Sequence, residues 1–160
     1  MASQWHSLVC QKLFLAKTLV ARTEHAEELP AADREALIQG AVELMLRARQ
    51  LLLTMIARCH QNKAATPTTV DELETLFSYP IAEIGTLREL IDTTGSWWQH
   101  LDQLERALSE PPKPRKTVTD ENIIAISAEQ GPDRSAEALK STLAAISATA
   151  RAIDDQHSEW

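Results

Sequence analysis

A chain of 160 residues, 44% hydrophobic and 24% charged, has the length of one domain and the composition of an ordinary globular protein. Its net charge of −7, with no basic face at any helical spacing, excludes nonspecific nucleic-acid binding and adhesion to an acidic membrane surface, so neither partner is expected. Alternating Val/Ile/Thr runs with Gly turns are nearly absent, which excludes a sheet protein.

The first predicted element is a helix over residues 3–29, with Ser3 as its N-cap. Trp5, Leu8, Leu15 and Leu19 make one apolar stripe, and Val9, Leu13, Ala16 and Val20 a second beside it. Pro30 marks a tight turn. A second helix, capped by Asp33, is predicted over 33–61, roughly 43 Å at 1.5 Å per residue. Ile38, Ala41, Met45, Ala48, Leu52, Met55 and Cys59 recur at steps of three and four. Leu37, Leu44 and Leu51 form a second row, and Leu46 and Leu53 carry the apolar surface further round. A helix so apolar needs neighbours on more than one side, and it reads as the central element of a bundle.

Thr69 and Glu72 make a capping-box pair that opens a short helix, and Tyr79-Pro80 stops it. Residues 80–109 carry one uninterrupted seam: Leu87, Leu90, Thr94, Trp97, Leu101, Leu104 and Leu108. One continuous helix is expected there, with Gly95 marking a close approach by a neighbour. The Pro-rich stretch about 110–118 is expected to be an extended linker. Ile123 to Ile126 is expected to lie extended across the bundle or to make a helical turn. Asp133 is the expected N-cap of a last helix built on Leu139, Leu143, Ile146, Ala150 and Ile153, with a frayed tail about 155–160. The sum is an all-α, single-domain, up-and-down bundle of four long helices with one short extra helix.

Chemistry-bearing patterns are sparse. His6 and Cys10, one turn apart, make at most half of a metal site, and no second pair at such spacing completes it. Glu24, His25, Glu27 and Glu28 resemble a di-iron ligand set, but Arg22 stands where the motif fails, so they read as a solvated face. Arg151 and His157 have the spacing of the Arg-His motif of HEPN ribonucleases, whose sites are completed across a dimer; Ala152 departs from that pattern. Residues 111–116 look like a polyproline ligand as well as a linker. Phosphate-cradling loops, nucleophile elbows and zinc-protease motifs are all missing. No cofactor and no metal are therefore expected. Cys10 and Cys59 fall on apolar stripes outside any CxxC pair, which suits small buried residues in a reducing compartment. The first residues lack the basic segment of a signal peptide, and a cytoplasmic location is expected.

SQWHSLVCQKLFLA at the start, ELMLRARQLLL in the middle and WWQHL further on resemble a small bacterial family of helical proteins without assigned activity. That resemblance implies a cytosolic helical protein and no functional residue. The expected role is noncatalytic: an interaction or regulatory protein that binds a protein partner or a second copy of itself. Its expected surface is Trp98, Leu46 and Leu53. Two alternatives stand beside it: a HEPN-like ribonuclease using Arg151 and His157, and an apolar ligand pocket lined by Met45, Met55 and Trp97.

Overall fold

The computed structural model describes residues 2–25, 28–112 and 131–158, whose regular structure is all helical, with no strand among them. The helices are α1 (Ala2–Glu24), α2 (Ala31–Cys59), α3 (Val70–Thr75), α4 (Ala82–Asp92), α5 (Trp97–Ser109) and α6 (Ala136–Ser158). The expectations for 117–130, and for most of the polyproline stretch, lie outside the described residues.

The central role of α2 holds. It packs against α1, α3, α5 and α6. Ala41, Val42, Met45, Ala48 and the run from Leu52 to Ala57 are buried, while Leu44, Leu46 and Leu51 are half-buried against the same core. At Gly40 the first two helices come close: an added Cβ would meet Leu19 Cδ1 at 3.1 Å. The close approach expected at Gly95 is therefore found at Gly40.

Residues 80–109 are not one helix. α4 ends at Asp92 and α5 begins at Trp97. Gly95 is exposed, with φ at +80°, a conformation that glycine adopts without steric cost. Ser96 then caps α5: its hydroxyl accepts from Gln99 N–H at 3.2 Å and donates to the Leu90 carbonyl at 2.5 Å, which ties the two helices together. The poor helix formers Asp92 to Gly95 thus outweigh an unbroken apolar seam.

Other termini shift in the same way. α1 already includes Ser3 and stops at Glu24, short of the expected 29. Pro30 occupies the N-cap position of α2, and Asp33 lies in the first turn. That helix closes with His60 as C-cap and Gln61 at φ 64°. In α3 the capping box is half formed. Thr69 Oγ1 accepts from Glu72 N–H, but the Glu72 carboxylate reaches Thr68 rather than Thr69. Asp133 precedes the last helix and accepts from Ser135 N–H, while Ser135 itself caps α6 through Ala138 N–H. The expected fraying from 155 is absent as far as Ser158.

Side-chain contacts give the helix directions. Near the start of α1, His6 meets Asp154 near the end of α6, so these two run antiparallel. His100 of α5 meets Thr142, and Trp97 meets Thr149, so α5 and α6 are antiparallel as well. Consequently the C-terminal ends of α2 and α6 lie at the same end as the start of α1, and α4 opens there too.

Candidate functional site

At that shared end, the residue following α2, the first turn of α4 and the last turn of α6 bring His60, Glu83 and His157 together. Glu83 is 3% exposed, unusual for a carboxylate without a compensating partner. His60 Nε2 donates to Glu83 Oε1 at 3.1 Å, and His157 Nε2 contacts the same oxygen. The two imidazoles stand edge to face with centroids 5.1 Å apart, and Phe77 lies against His60 at 5.2 Å. Burial by itself would push the Glu83 carboxyl up. Hydrogen bonds from His157, from its own backbone N–H and from His60 outweigh it and hold the group below the ordinary carboxylate value.

A second polar set flanks this one. Asp154, one turn before His157, lies with Oδ2 3.4 Å from His6 Nδ1. The other ring nitrogen of His6, Nε2, lies 3.4 Å from the Cys10 sulfur, within hydrogen-bond reach. Asp154 Oδ1 is buried and has no hydrogen-bond partner. Cys59 sits between the two sets. Burial, then the charges of Glu83 and Asp154, push its thiol up to about 11, so it is an unreactive neutral group at physiological pH.

The second notable surface is a groove of about 710 Å³ between α1 and α6. Leu13, Leu143, Ala144 and Ala148 give it an apolar floor, and Lys17, Lys140 and Arg151 stand on its walls. Phe14 lies beside it with 69% of its surface in water. Lys140 pairs with Glu24 across the helices at 2.5 Å.

The residues singled out from sequence fall elsewhere. Of the expected interaction surface, Trp98 and Leu53 are buried, at 7% and 1% exposure, and Leu46 is half-buried on the core. Trp97 and Trp98 both turn inward, with ring centroids 5.3 Å apart. This is possible because Arg49 of α2 lies over the Trp98 ring at 4.8 Å, held there by Asp102 and Glu105. Met45, Met55 and Trp97 are packed in the core, and the surface concavities are lined by other residues. Arg151 and His157 diverge, roughly 120° apart round the helix. Arg151 lines the groove, and His157 is engaged by Glu83. Of the acidic cluster, Glu24 pairs with Lys140, while Glu27 lies outside the described residues.

Sequence reading missed the convergence of His60, Glu83 and His157, which lie far apart along the chain and form no spacing motif. The one available signal was positional. In an alternating helix order the second and last helices end on the same side of the molecule, and a histidine stands near each of those ends.

Comparison with known families matches residues 1–160 to one, described as Family of unknown function (DUF6586). No curated protein and no solved structure matches the chain. Among the described residues, no helix is long and apolar enough to cross a membrane.

Proposed function

The chain belongs to the Family of unknown function (DUF6586), and from that premise we propose that it is a noncatalytic binding protein. Its occupant is an acidic amphipathic helix of a protein partner, seated in the α1/α6 groove. The helices α1, α2, α5 and α6 form an up-and-down bundle in this reading, capped by α3 and α4. A cytoplasmic setting suits its two unpaired thiols, Cys10 and Cys59.

The carrying observation is a local reversal of charge. On a chain of net charge −7, the apolar groove beside exposed Phe14 is walled by Lys17, Lys140 and Arg151. Lys140 and Arg151 stand roughly 16 Å apart along α6, about three helical turns. That separation fits a helix with carboxylates at both ends of a short apolar face. The Lys140–Glu24 pair is exposed at both partners, so exchanging Glu24 for a partner's carboxylate costs little. A second copy of this chain suits the groove less well, because a two-fold axis through it would bring the same cations face to face. The ribonuclease alternative needs His157 free to meet its copy, whereas Glu83 holds it.

Photo-crosslinking in the native cells tests the proposal, with a benzophenone side chain at position 14 and a control at exposed position 103 on α5. The expected adduct forms from position 14 and maps to an acidic amphipathic segment. It should fall about tenfold or more when Lys17→Glu and Arg151→Glu are combined, equivalent to about 1.4 kcal/mol. Equal labelling from position 103, an adduct with a second copy of the chain, or insensitivity to charge reversal overturns it. Light scattering of the purified protein separates self-association from the rest.

A further inference from the structure

We propose that His60, Glu83 and His157 form a binding site for one divalent transition-metal ion, with zinc the best-matched candidate. The three potential ligand atoms all lie within 4.8 Å of one another. With bond lengths near 2.0–2.2 Å, adjacent ligand atoms in a tetrahedral site stand about 3.4 Å apart. The His60–Glu83 separation of 3.1 Å is already close to that value. An ion entering between the three would open the Glu83–His157 contact and draw the imidazoles inward, a shift of about 1 Å on the bond lengths above.

The donor set is chemically selective. Two imidazoles and one carboxylate suit zinc, cobalt or nickel and are poor for calcium or magnesium, which take oxygen ligands. Three protein ligands leave a fourth position open, as in zinc sites that carry a water. Each imidazole is about one-fifth exposed, at 19% for His60 and 20% for His157, so an ion has a path from solvent while the carboxylate stays buried. The surroundings favour positive charge: Asp154 lies one turn from His157, with one oxygen buried and unpartnered. All three ligands come from the ends of different helices, so an ion would clasp α2, α4 and α6 at one point. This site is separate from the α1/α6 groove, and neither proposal rests on the other.

The test uses full-length, untagged protein stripped with a chelator and titrated with zinc or cobalt. Calorimetry should give one equivalent of zinc, zinc should raise the thermal midpoint, and cobalt should develop the visible bands of a low-coordinate site. Loss of a partner that only orients a ligand costs about 10–100-fold in affinity, so His60→Ala or His157→Ala should cost at least about 100-fold. His25→Ala, at an exposed position just past the opposite end of α1 from the three ligands, should bind as the parent does. Glu83→Gln should also lose binding, and if it fails to fold, the two histidine variants carry the test. The proposal is overturned if the stripped parent takes up no zinc. It is equally overturned if a folded His60→Ala/His157→Ala double variant binds zinc as the parent does.

Discussion

Replacing Glu83 by glutamine keeps the shape of the buried side chain and removes its charge. In the folded protein the carboxylate accepts from His60 and from His157, and it is 3% exposed. A hydrogen bond to a charged group contributes about 1.5–3 kcal/mol, against about 0.5–1.5 kcal/mol for a neutral one. Two such bonds make Glu83→Gln less stable by about 2 kcal/mol at pH 7, water at the half-buried imidazoles being counted against the upper end. For a chain of this size that lowers the thermal midpoint by about 4–8 °C. The dependence on pH has a definite sign. The carboxyl sits below its ordinary 4.5 when folded, so the folded state resists its protonation. The advantage over glutamine is therefore complete above the unfolded value and is lost as pH falls through the lower folded one. Urea unfolding followed by tryptophan fluorescence, in chelator, from pH 7 to pH 3 measures both quantities. Equal stabilities at pH 7, or a gap that does not narrow in acid, would refute the account of Glu83 as a charged clasp.

Two glycines should respond oppositely to alanine. Gly85→Ala, on exposed helix with open space around its Cβ, should stabilise by about 0.5–1 kcal/mol, whereas Gly95→Ala, at φ +80°, should destabilise by about 1 kcal/mol in the same unfolding assay. Ser96→Ala removes the cap of α5 and its tie to Leu90, and should cost about 1–2 kcal/mol by denaturant midpoint. Cys59, with its thiol raised from 9.0 to about 11, should alkylate about 100-fold more slowly at pH 8 than an ordinary thiol, as read by peptide mass spectrometry. Leu101→Ala, at a fully buried position of α5, should cost about 2–5 kcal/mol, and a smaller loss would mean that the core collapses around the gap.

Periodicity alone established the helical class and the central place of α2, because a helix apolar on several sides has no stable position except among neighbours. It also identified the seam of α6 and part of those of α1 and α5: Val9, Leu13, Ala16 and Val20 are buried, and so are Trp97, Leu101 and Leu104, but the parallel stripe of α1 is not, with Trp5, Leu8 and Leu19 half-buried and Leu15 exposed. Local chemistry was legible only in part. The cap of α3 was readable from Thr69 and Glu72, but the break between α4 and α5 was obscured by a seam that continued across it. Whether Trp98 faced water depended on Arg49, which lies 49 residues away in sequence and covers the ring only once α2 and α5 have packed. The meeting of His60, Glu83 and His157 required three helix ends to arrive at one point. No spacing rule reaches that far. Helical pattern follows from each residue's near neighbours, whereas a site assembled from remote side chains exists only once packing has brought them within a few ångströms.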